Sequence, residues 1–141
     1  MVDLYVRYEG GLHCAARHGP SGATLATDAP VDNHGRGESF SPTDLLATSL
    51  GTCMLTVMGI LAQRRTWNID GSTAHIIKEM TANLPRRVER LRVALDVPEP
   101  VASKLHEEAR RELEHAAHTC PVRLSLHPQI DVPIQFRWGT G

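Results

Sequence analysis

Residues 41–65 read SPTDLLATSLGTCMLTVMGILAQRR, and the fold of this chain turns on them. Ser41 has the character of a helix N-cap, Pro42 suits the first helical position, and Asp44 stands where an acidic capping partner belongs. From Leu45 onward the segment is apolar nearly all round, with only small polar residues, Thr, Ser and Gly, interrupting it. The polar and cationic end Gln63-Arg64-Arg65 matches a helix C-terminus, so a helix is predicted over 42–65. A helix without a polar face is covered on every side. One sheet from a chain this short covers one side only, so the pattern predicts a homodimer in which a second copy covers the other.

Upstream, Leu4 to Ala29 splits at Gly10-Gly11 and at Gly19-Pro20-Ser21-Gly22 into two or three short antiparallel strands. Asp28 to Ser41 is rich in Gly, Pro, Asn, Asp and Ser without periodicity and reads as a surface loop. Downstream, Ile69–Met80 and Arg86–Val97 read as a hairpin closed through Asn83-Leu84-Pro85. Val101 to Ala117 spaces Val101, Leu105, Ala109 and Leu113 as one amphipathic helix, and Ile130–Trp138 reads as a final strand. The expected fold is a single α+β domain over residues 1–141, with antiparallel sheets packed around a buried, cysteine-bearing helix.

Composition narrows function. Of 141 residues 41% are hydrophobic and 4% aromatic, and 15 basic against 16 acidic residues leave a formal charge of -1. Neither a basic footprint nor aromatic stacking platforms for nucleic acid are present, so no nucleic-acid partner is expected. No run is read as reaching the ~20 apolar residues of a membrane span, and the start lacks the layout of a signal peptide, so the expectation is a cytoplasmic protein without a membrane partner.

Three cysteines, Cys14, Cys53 and Cys120, cannot all pair within one chain. Cys14 alternates with His13 on a predicted strand and reads as packing. Cys53 is either a small buried hydrophobe of the helix or a nucleophile needing side-chain activation, because the helix dipole fades within the first turn. Arg17, held by Glu38, is the favoured activating pair, with Arg36 and Asp44 as the alternative. Cys120 is expected in the first turn of a short helix capped by Thr119, where its pKa would be lowered, unless it is an incidental residue of a turn. His115, His118 and Cys120 could together offer three ligands to a zinc ion. Three classes of function stay open at this point: a thiol enzyme, a non-catalytic binder of hydrophobic small molecules or redox sensor, and a metal-binding protein.

The two cysteine segments together resemble the OsmC/Ohr family. The resemblance rests on Ser41-Pro42-Thr43-Asp44-Leu45-Leu46-Ala47, on Cys53 eleven positions after Pro42, and on Cys120-Pro121-Val122 following an amphipathic helix, with the element order agreeing along the chain. It implies an intertwined α+β homodimer with two active sites at the interface. It further implies that Cys53 is the peroxidatic cysteine and Cys120 the resolving one of a hydroperoxide reductase. Such an enzyme needs no metal or organic cofactor and is recycled by a lipoyl-type or thioredoxin-type dithiol. Thr43 stands where the best-characterised organic hydroperoxide reductases carry a glutamate, and Leu12 stands where they carry an arginine after the Gly-Gly turn.

Overall fold

The computed structural model describes residues 1–140. They form two compact units, one of residues 1–46 and one from residue 47 on.

The first unit is an antiparallel meander of β1 (Leu4–Gly10), β2 (His13–His18) and β3 (Thr24–Asp28) in the order β1-β2-β3. Gly10 and Gly11 take φ values of 87° and 60° at the first turn, a conformation that disfavours residues with a Cβ. Side-chain alternation along the paired register places Leu4, Val6, Tyr8, Cys14, Ala16 and Leu25 on one face, and Tyr5, Arg7, His13, Arg17 and Asp28 on the other. The apolar face is uncovered: Val6 is 70% exposed and Leu4 and Tyr8 nearly as much. At the far end, His13 Nδ1 meets the buried Asp28 Oδ1 at 2.6 Å across the β2–β3 pair.

The loop after β3 is surface-exposed, as its composition indicates, yet closely folded. Ala29 N–H donates to Leu12 O (3.0 Å), and Gly35 and Gly37 donate back to Pro30 O and Ala29 O. A Cβ on Gly35 would lie 1.7 Å from Ala29 O, so only glycine fits there.

α1 (Pro42–Arg64) starts where Ser41 N–H donates to Asp44 Oδ2 (2.8 Å) and Asp44 N–H donates back to Ser41 Oγ (3.1 Å). This is the reciprocal capping pair expected from the sequence. Ser41→Ala is expected to lower stability by about 1 kcal/mol in urea unfolding; an unchanged midpoint would show the cap to be dispensable.

Within the chain α1 is covered on one face only. Ala47, Leu50, Gly51, Met54, Met58 and Ala62 are buried, while Thr48, Thr52, Thr56 and Ile60 on the opposite side are exposed. Two of the exposed threonines spend their hydroxyls on the helix itself, Thr52 on Thr48 O (3.1 Å) and Thr56 on Thr52 O (2.7 Å), which leaves this face with fewer free polar groups. At 23 residues α1 is long and apolar enough to cross a bilayer by length and composition, which corrects the expectation that no run reaches that size. A core helix passes the same test, and α1 packs one face into the second unit's core.

That unit holds β4 (Thr73–Met80) and β5 (Val88–Pro98) as an antiparallel hairpin, with β6 (Ile134–Thr140) beside β5. β6 runs parallel to β5, so this sheet is mixed rather than antiparallel throughout. The reason is the helical crossover between the two strands, which returns the chain to the same end of the sheet. β6 starts later than read from sequence because Asp131 makes only an isolated bridge to Arg90. β4 likewise starts after a turn closed by Ser72 N–H on Ile69 O. Leu50, Met54 and Met58 of α1 with Leu91, Leu95 and Val97 of β5 are fully buried.

The single amphipathic helix predicted over 101–117 is two helices, α2 (Glu99–Ala102) and α3 (Glu107–His118). His106 ends the continuity: its Nδ1 accepts from Ala109 N–H (3.1 Å) as the N-cap of α3. Arg110 secures the break by donating to Ala102 O (2.8 Å) and Leu105 O (3.1 Å). Apolar spacing continues through both helices, which is why the sequence pattern conceals the break.

Candidate functional site

The second unit brings Cys53 and Cys120, 67 positions apart in sequence, into direct contact. Cys53 sits on α1 beside the fully buried Met54, at the border between covered and uncovered faces, and is half-buried. Gly51, two residues before it, lets α1 press on β4; a Cβ there would lie 2.4 Å from Ile76 Cδ1.

Cys120 follows the C-cap Thr119 of α3 and is itself the N-cap of α4 (Pro121–Ser125), its Sγ accepting from Arg123 N–H (3.3 Å). The local signal was Cys-Pro, with proline at the first helical position, and it puts the cap one residue later than Thr119. Cys120 is wholly buried, so the burial of the two sulfurs is the reverse of that read from sequence, where Cys53 was the buried one.

Burial also overturns the expected acidity. It pushes the Cys120 thiol up, outweighing the opposing N–H groups of Arg123 and Val122, and the neighbouring Cys53 pushes in the same direction. The folded protein therefore holds the Cys120 proton more tightly than the unfolded chain does. The resulting stabilisation is complete below the ordinary thiol pKa and is lost as pH rises through the raised value. Iodoacetamide at neutral pH is accordingly expected to label Cys53 well before Cys120. Equal labelling in mass spectra of the native protein would contradict this assignment.

Both sulfurs are free thiols, as is Cys14, which lies half-buried on the apolar face of the first sheet opposite Tyr8 and Thr27. Arg17 stacks its guanidinium on the Tyr5 ring, 4.6 Å from the centroid. Glu38 is exposed in the loop before α1, and among the described residues Arg17 and Glu38 form no ion pair with each other. Arg36 rises from the same glycine-rich loop, its guanidinium 3.1 Å from where a Gly11 Cβ would stand, with no carboxylate partner among the described residues. Asp44 is engaged in the capping pair of α1. These four charged residues belong to the first unit and the sulfurs to the second.

One turn beyond Cys53 a groove of about 650 Å³ opens between α1 and α3, lined by the apolar Val57, Ile60, Leu61 and Ala116 and by the charged Arg64, Glu108, Arg111 and Glu112. His115 borders it, whereas His118 packs against the Phe136 ring at 5.6 Å. Among the described residues no three or more His, Cys, Asp or Glu side chains gather as a metal site, so His115, His118 and Cys120 are not brought together as a ligand set.

Comparison with known proteins places this geometry. The family described as OsmC-like protein matches residues 35–135. A solved structure from Psychrobacter arcticus 273-4, provisionally described as an osmotic stress induced and detoxification response protein, is 43% identical with a TM-score of 0.88 over 96% of each chain. An organic hydroperoxide resistance protein OsmC from Legionella pneumophila shares the fold at 14% identity, with a TM-score of 0.75 over 97% of this chain and 96% of that one. Another organic hydroperoxide resistance protein, from Elizabethkingia anophelis, does so at 13% identity and a TM-score of 0.74, over 97% and 95% of the two chains. No curated protein matches.

Proposed function

Because this chain belongs to the OsmC-like protein family, we propose that it is a thiol peroxidase that reduces organic hydroperoxides with Cys53 and resolves the product with Cys120. The observation that carries this reading is the contact between two free thiols, one half-buried and one wholly buried, in a chain with no other cysteine in the second unit. The organic hydroperoxide resistance proteins sharing its fold support a role in peroxide defence.

The Cys53 thiolate attacks one peroxide oxygen, the O–O bond breaks, and the other oxygen leaves as an alcohol after taking a proton. Cys53 is then a sulfenic acid. The Cys120 thiol condenses with it, forming the disulfide and releasing water. A dithiol of lipoyl or thioredoxin type restores both thiols by exchange. The apolar residues Val57, Ile60 and Leu61 of the groove one turn beyond Cys53 favour an organic peroxide over hydrogen peroxide.

In this reading a guanidinium binds the peroxide oxygen beside the attacking Cys53 sulfur. Arg17 with Glu38 is one source and Arg36 the other. Among the described residues Arg36, on a closely folded loop, has no carboxylate partner, whereas Arg17 is stacked on Tyr5. Arg36→Lys is therefore expected to slow Cys53 oxidation by about tenfold or more, since lysine lacks the planar fork. A fall confined to Arg17→Lys and Glu38→Gln in stopped-flow measurements would assign the role to that pair instead.

The functional unit in this reading is a homodimer, because the uncovered face of α1 and the uncovered apolar face of the first sheet both need a cover that a second copy can supply. The defining experiment treats the reduced protein with a slight excess of cumene hydroperoxide. Two thiols per chain should disappear, and peptide mapping should join the Cys53 and Cys120 peptides. Unchanged thiols would leave the groove as a binding site for an apolar molecule and end the peroxidase reading.

A further inference from the structure

We infer that the disulfide is reopened at Cys53, so that the reductant becomes covalently attached to Cys53 while Cys120 departs as the leaving thiolate. This rests on the peroxidase reading for the origin of the disulfide, but not for the direction in which it opens.

Thiol–disulfide exchange is in line: the incoming thiolate approaches the attacked sulfur from the side away from the leaving one. For Cys120 that side is closed. Its side chain has 0% exposure at the junction of α3 and α4. Cys53 is half-buried at the border of the covered face of α1, whereas Cys120 stays enclosed within its own chain whatever packs against that chain. A thiol arriving from solvent meets Cys53 first.

The departing sulfur has a prepared place. In the reduced protein Cys120 Sγ already accepts the Arg123 N–H at 3.3 Å, so the leaving thiolate returns to a donor that the backbone of α4 holds ready. Leaving-group acidity alone would favour the opposite direction, because burial makes Cys120 the weaker acid than an ordinary thiol. Access decides between the two, since a sulfur that cannot be reached is not attacked. The repulsion from Cys53 that contributes to the raised value also vanishes while Cys53 is tied to the reductant.

The step balances as R–S⁻ plus Cys53–S–S–Cys120 giving R–S–S–Cys53 plus Cys120–S⁻, which takes up a proton. When the reductant is a dithiol, its second thiolate displaces Cys53 and leaves as the cyclic disulfide. The two electrons end on Cys53 and Cys120.

The test uses the whole protein with its disulfide made by diamide, whose N=N bond accepts the two hydrogens, so that no peroxide turnover is needed. Glutathione is added for seconds, the freed thiols are capped with N-ethylmaleimide in acid, and peptides are mapped. Glutathione on Cys53 with maleimide on Cys120 is expected in at least tenfold excess over the converse. Glutathione on Cys120, equal labelling, or failure of diamide to join the two cysteines would overturn the inference. If instead cumene hydroperoxide leaves the thiols intact while the diamide-made disulfide opens at Cys53, the peroxidase reading fails and the direction of opening stands.

Discussion

Cys53→Ser should consume hydroperoxide at least about a thousandfold more slowly than the parent, because no other thiol in contact with Cys120 can attack the O–O bond. Cys120→Ser should behave differently. Its Cys53 still attacks the first peroxide, but the sulfenic acid finds no partner and proceeds to sulfinic and sulfonic acid, so activity dies after the first turnovers. Cys14→Ser should match the parent, since Cys14 packs on the meander opposite Tyr8 and Thr27. Consumption measured with a peroxide dye assay, together with intact mass after exposure, separates these outcomes. Sustained turnover by Cys53→Ser, or a disulfide containing Cys14, would overturn the assignment of roles.

The second large effect concerns assembly. The parent should sediment at about twice its 15.5 kDa chain mass at micromolar concentration. Ile60, 45% exposed in the single chain, lies on the uncovered face of α1, where the hydroxyls of Thr52 and Thr56 are already bonded to the helix. If a second copy covers that face, Ile60→Asp buries a carboxylate without a partner, at a cost of about 3–5 kcal/mol. That corresponds to a dissociation constant weakened on the order of a hundredfold to a thousandfold or more. Ile60→Val keeps the face apolar and should remain dimeric. A parent protein that sediments as a well-folded monomer would remove the packing argument altogether.

Much of the architecture was legible because it depends on neighbours in sequence. The Ser41–Asp44 capping pair, Pro42 at the helix start, the Gly10-Gly11 turn and the β4–β5 hairpin are set by contacts within a few residues or by a period of two. The motif around Cys53 and Cys120 likewise carried the family resemblance, which the match over residues 35–135 bears out. The α2–α3 break was hidden because the apolar spacing runs on through it, while the break itself is made by His106 capping the start of α3 on Ala109 N–H and by Arg110 bonding the carbonyls of Ala102 and Leu105.

The properties that matter for the candidate site depend on residues far apart in the chain. Sequence alone could call for two reactive sulfurs but not join them, since their contact requires α1, α3 and the crossover to β6 to be in place. It also inverted their burial. An apolar surround suggested that Cys53 was the hidden thiol, and a helix start suggested that Cys120 was the acidic one. In the folded chain α1 shows a border at Cys53, whereas Cys120 is enclosed, and desolvation there exceeds what the N–H groups of α4 return. Local hydrogen bonding is written in local sequence; solvent access is a sum over everything that packs nearby, and only the tertiary structure performs that sum.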